Sequence, residues 1–136
     1  MARCSFTLPE ETIRKMSALG DRYDEITKAV LKEGVTPLYD TAKANLSASI
    51  KNGTGNLLKS LCTTKPFQDK NNDWNIKVGC AGVDRKGVSN AMKAAILEYG
   101  KSNQPAKPWL KPSVFKAKKA CINKIQETLD IEVSKL

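Results

Sequence analysis

The chain contains no histidine. That removes the commonest general base. The four cysteines, Cys4, Cys62, Cys80 and Cys121, lie far apart with no Cys-x-x-Cys pair, so the usual zinc-ligand patterns are missing as well. Each cysteine therefore reads as a small, partly buried apolar residue in a reducing compartment. Arginine is scarce: Arg3, Arg14, Arg22 and Arg85 are the only ones, and none falls in a recognisable helix-turn-helix. This weighs against sequence-specific DNA reading, which leans on arginine. No run of about 18 apolar residues is available to span a bilayer, and the first residues lack the apolar core of a signal peptide. The acids Glu10, Glu11, Asp21, Asp24, Glu25 and Glu33 fall at solvent-facing helical positions. No nucleophile with its base, metal site or defined carboxylate pair is legible, which argues against an enzyme and against any cofactor.

What is present is positive charge. Net charge is +9, from 23 Lys and Arg against 14 Asp and Glu. That excess favours acidic partners, nucleic acid or an acidic protein surface, without choosing between them. With 136 residues the chain is long enough for one domain with its own core, and its apolar fraction and two tryptophans argue for a folded protein.

In chain order, residues 1–20 read as an arm or short helix. Thr7 and Glu10 are placed as a capping box, and Gly20 is a break followed by Asp21 as the next cap. Over 21–51, Ile26, Val30, Leu38, Ala42, Leu46 and Ile50 recur mostly at spacings of four, one apolar stripe of a long helix. Gly34 and Pro37 predict a kink or break inside it. Asn52-Gly53-Thr54-Gly55 ends it. A glycine pair can cradle phosphate, but Lys59 does not stand where a P-loop lysine would and no strand precedes it.

Residues 57–80 predict a β-hairpin. Leu57 to Leu61 starts as a helical turn or strand, Pro66 marks an edge, and Gln68 to Asp73 form a polar tip. Trp74, Ile76, Val78 and Cys80 then alternate as one face of a half-buried strand. Gly82 to Gly87 reads as a mobile loop whose Arg85-Lys86 pair can meet phosphate or a carboxylate. A helix over 90–100, capped by Asn90, puts Met92, Ala95, Ile96 and Tyr99 on one side. Residues 101–112 form a rigid corner, because Pro105, Pro108 and Pro112 fix φ and supply no N–H. Gly100 is placed as a left-handed cap before it, and Trp109 and Leu110 are its apolar anchors.

The last helix, 113–130, puts Val114, Ala117, Cys121, Ile125 and Leu129 on one face and Lys116, Lys119 and Asn123 on the other, with Lys118 and Lys124 flanking. From Lys101 through Gln126 there are seven lysines and no acid. Lys107, Lys111, Lys116, Lys118, Lys119 and Lys124 are thus candidate contacts to phosphate or to an acidic partner, and Trp109 a candidate for stacking on a base. The whole predicts an α+β fold, with a long N-terminal helical region and a C-terminal helix packed on a small antiparallel sheet with a projecting hairpin.

Two segments carry a family resemblance. Ala94 to Gly100, reading Ala-Ala-Ile-Leu-Glu-Tyr-Gly, is followed by Pro105-Ala106-Lys107-Pro108-Trp109-Leu110-Lys111-Pro112 and a basic amphipathic helix. Upstream stands Thr54-Gly55-Asn56-Leu57-Leu58-Lys59-Ser60-Leu61. Together they resemble the head–tail joining proteins of long-tailed bacteriophages, the neck or tail-completion components, over roughly 21–129. Trp109 stands where that family more often has Phe, and the loop from Gly82 to Asn90 is less typical.

The resemblance implies a small α/β subunit without catalytic chemistry, repeated as a ring of roughly six or twelve copies in the virion. The ring would lie between a head connector or adaptor and the tail terminator or tail tube. DNA would pass through it, and assembly would take place in the bacterial cytoplasm. Thr54, Gly55 and Leu57 would then set the turn feeding the hairpin. Glu98, Tyr99 and Gly100 would fix the turn before the corner, while Pro105, Pro108, Trp109, Leu110 and Pro112 shape it. The Gln68–Asp73 tip and the Gly82–Gly87 loop would meet neighbouring subunits. The alternative is a small basic protein that binds DNA without sequence preference.

Overall fold

A computed structural model gives the architecture and describes residues 8–50, 56–84 and 86–135. The fold is α+β. Helix α1, Glu10–Ser17, starts after Pro9, whose fixed φ suits a helix entry but which offers no side-chain cap. Thr7, expected as the cap, lies outside the described residues. A 3₁₀ turn, Gly20–Arg22, follows; Asp21 lies inside it, and no side chain caps the next helix.

The long helical stretch is two helices, α2 (Tyr23–Gly34) and α3 (Thr36–Ser49), as Gly34 and Pro37 suggest. Val35 keeps helical angles, and its neighbours' hydrogen bonds survive: Val35 N–H donates to Leu31 O (3.1 Å) and Tyr39 N–H to Val35 O (2.9 Å). Pro37 has no N–H to give to Glu33 O, and the helical ladder is interrupted there. Gly34 answers a different need from helix breaking. A Cβ there would sit 2.2 Å from Ile125 Cγ1, so the missing side chain lets the C-terminal helix approach.

After a single turn, α4 (Asn56–Lys59), the hairpin has four short strands: β1 (Leu61–Thr63), β2 (Phe67–Gln68), β3 (Trp74–Asn75) and β4 (Val78–Cys80). β1 pairs antiparallel with β4, Leu61 opposite Cys80, and β2 with β3, Phe67 opposite Asn75. Thr64 N–H donates to Lys77 O (2.8 Å) between the two ladders. Lys65 and Pro66 together therefore face the single residue Ile76. That two-against-one count is a β-bulge, and it falls where proline has no N–H to offer the ladder. The tip is built on Asp69, whose Oδ1 accepts from Asn71 N–H (2.9 Å) and Asp73 N–H (3.1 Å). Those amides hold its carboxyl below the usual range. The outer arm leans on α2: Trp74 Nε1 donates to Asp24 Oδ1 (3.2 Å), and Lys28 Nζ lies 5.3 Å above the indole.

The loop before α5 (Asn90–Tyr99) is organised by Asp84 rather than left free. Asp84 Oδ1 accepts from Lys86 N–H (2.8 Å) and Val88 N–H (2.9 Å), and Oδ2 from Lys93 Nζ. The lysine ammonium and these amides lower the Asp84 pKa to about 2. Ser89, not Asn90, caps α5 by accepting from Met92 N–H (3.3 Å). Asn90 is buried and donates back to Ala81 O (2.9 Å). The buried face of α5 is Asn90, Ala94 and Glu98; Met92 and Tyr99 point outward, opposite to expectation.

Helix α6 runs from Leu110 to Ser134, longer at both ends than the sequence suggested, with Pro112 inside its first turn. Its buried stripe includes the expected Val114, Ala117, Cys121, Ile125 and Leu129. α6 packs along α2 and α3. Its start joins a cluster with Ala42, Leu46, Leu61, Cys80, Ala94 and Trp109, and its second half a cluster with Met16, Ile26 and Val30. Gln126 Nε2 ties it to the buried Thr12 of α1 (3.0 Å). Among the cysteines, Cys80 and Cys121 are buried and Cys62 is exposed, against the expectation of uniform partial burial; Cys4 lies outside the described residues. Burial pushes the Cys80 and Cys121 thiols up. No described helix is long and apolar enough to cross a membrane.

Candidate functional site

The Pro-rich corner folds back along α5. Gly100, at φ +77° and ψ −178°, occupies backbone space open in practice only to glycine. A Cβ there would also lie 2.8 Å from Ala106 N and 2.9 Å from Gln104 O. Lys101 and Gln104 exchange backbone hydrogen bonds (2.9 and 3.0 Å), and Lys107 N–H donates to Leu97 O (2.7 Å). These bonds bring Trp109 beside the helix that the chain has just left.

There Glu98, 6% exposed, closes the joint. Its Oε2 accepts from Trp109 N–H (2.7 Å) and Leu110 N–H (2.8 Å), and its Oε1 from Lys111 N–H (3.0 Å). A helix leaves four N–H groups without partners at its start. In α6 these belong to Trp109, Leu110, Lys111 and residue 112; the carboxylate takes three, and Pro112 has no fourth. A carboxylate is also the favoured charge at the positive end of a helix. Trp109, 1% exposed, donates Nε1–H to Ala94 O (3.0 Å). Its carbonyl accepts from Ser113 Oγ, which accepts in turn from Asn45 Nδ2 (2.8 Å) of α3. One buried network thus locks α5, α6 and α3.

Of the sequence-predicted residues, Glu98, Gly100, Trp109, Leu110 and Pro112 meet in this clasp. Tyr99 is 60% exposed, and Pro105 and Pro108 are exposed along the corner. Leu57 packs on the core edge, while Thr54 and Gly55 lie outside the described residues. Burial of Trp109 removes it as a platform for a base. Glu98 shows that not every acid is solvent-facing. Once the structure places the N-cap at Trp109, which has no side-chain acceptor, the acceptor must come from elsewhere in the fold.

On the outer side of α6, Lys111, Lys116, Lys118 and Lys119 are exposed, as is Lys107 before it; Lys124 is half-buried. Among the described residues the ion pairs are Arg14–Glu10, Lys93–Asp84 and Lys135–Glu132, so none of these lysines is spent on a carboxylate. Phe115, 72% exposed, stands among them; no sequence argument had singled it out. Lys86 is exposed, and Arg85 lies outside the described residues. An open groove of about 380 Å³ between the α2–α3 joint and β1 is lined by Lys32, Tyr39 and Cys62 among others, with no carboxylate. No three described His, Cys, Asp or Glu side chains gather so as to hold a metal ion.

The arrangement defines an α+β chain with a buried structural clasp and one basic helix face. Comparison with protein-family models, with curated proteins and with solved structures gives no match.

Proposed function

We propose that the chain is a structural component of a tailed bacteriophage, a head–tail joining subunit in a ring of roughly six or twelve copies through which DNA passes. It acts in the virion neck, assembled in the bacterial cytoplasm, between the head connector and the tail terminator or tube. One observation supports this reading above the others. Glu98, Gly100, Trp109, Leu110 and Pro112, which carry the resemblance to that family, are engaged in holding helices together rather than arranged around an open site. This use of the residues suits a part that works by shape. The exposed Gln68–Asp73 tip and the Asp84 loop are the proposed contacts with neighbouring subunits.

The test is genetic and morphological. A virus unable to make the chain accumulates filled heads and separate tails in electron micrographs, and the supplied protein restores joining. Intact infectious particles in its absence would end the proposal.

A further inference from the structure

We infer that the outer face of α6 around Phe115 is a binding site for single-stranded nucleic acid, an assignment that does not depend on the neck reading. Phe115 has Lys111 four residues before it and Lys118 and Lys119 three and four residues after it. Side chains at these spacings are neighbours on one helix face. The three lysines span about 12 Å along the axis. All are exposed, none is paired with an acid among the described residues, and the segment from Lys101 to Gln126 contains no carboxylate to compete for them.

The ring at the centre decides the ligand class. Lysines alone would suit any polyanion, and a duplex satisfies them through its phosphates while its stacked bases leave Phe115 in water. A single strand offers both matching groups, phosphates for the ammonium groups and free base faces for the ring. A lipid surface fits less well. The apolar stripe of α6 is buried on α2 and α3, so Phe115 is the one large apolar side chain exposed between Lys111 and Lys119, too little for insertion. Trp109, the aromatic that the sequence would have offered, is sealed in the clasp.

The experiment measures fluorescence anisotropy of labelled oligothymidine of about 20 nucleotides, and of a duplex of equal length, with the full chain. Salt is varied from about 50 to about 200 mM. The expected result is tighter binding of the single strand, with log K falling against log salt by about 0.7 per lysine engaged. Phe115→Ala weakens oligothymidine binding by about fivefold or more, leaves duplex binding and the salt slope unchanged, and Phe115→Trp restores it. Lys118→Gln with Lys119→Gln flattens the slope. The unfolding midpoint of Phe115→Ala stays at that of the wild type, because the ring is exposed. Equal affinity for the two forms, or a Phe115→Ala chain that holds oligothymidine as before, overturns the assignment. So does a Phe115→Ala effect confined to self-association.

Discussion

Removing the Glu98 side chain takes the acceptor from three amides at once, all at a buried helix start. Glu98→Ala should therefore cost about 3 kcal/mol or more in chemical denaturation, and Glu98→Gln a smaller but clear amount, because its amide turns a donor toward a donor. A near-wild-type midpoint for Glu98→Ala would mean that the clasp contributes little. Trp109→Ala should cost about 3 kcal/mol or more, since it empties a fully buried site and removes the indole's hydrogen bond to Ala94 O. At this scale the sequence was readable where a residue's backbone need is local. Gly100 and the prolines declare a bend through φ alone. The partner of an amide eleven residues away in the chain is not declared by any spacing, so neither the Glu98 clasp nor the buried face of α5 is legible in the sequence.

The helix pair α2–α3 and the hairpin show the next level. Alanine at position 34 would raise helix propensity, yet its Cβ would meet Ile125 at 2.2 Å, and Gly34→Ala should destabilise by on the order of 1–3 kcal/mol. Combining it with Ile125→Ala should recover part of that loss. Additive effects in the double-mutant cycle would rule out the contact as the cause. Proline and glycine announced a break here, but only the packed structure shows that the glycine serves the neighbouring helix. The hairpin was legible from its two-residue period, and its bulge was not, because register depends on counting both strands.

The Asp84 loop adds a pH dependence. Its carboxyl, ordinarily near 3.8, titrates at about 2 when folded. A lowered folded value contributes stability that is present above pH 3.8 and is lost as pH falls toward about 2. Thermal midpoints measured between pH 5 and 2 should fall less steeply for Asp84→Asn than for the wild type, and superimposable curves would remove Asp84 as a cause.

For the molecule as a whole, α6 is the shared wall of two clusters that otherwise have separate members. Amide hydrogen exchange should be slowest along the middle of α6. Leu129→Ala, in the second cluster, should also accelerate exchange in β1 and β4 of the first, because both lean on one rod. Acceleration confined to α1 and α2 would show two independent units. This helix was the clearest element in the sequence, through its five-residue apolar stripe and lysine excess, whereas the joint that aims it was hidden.

That joint also has an electrical outcome. With every amide at the head of α6 either claimed by Glu98 or abolished by Pro112, the helix offers no vacant donors at its tip for a phosphate to dock end-on. Any negatively charged strand drawn to this protein must instead lie lengthwise beside the rod, guided by ammonium groups along its flank.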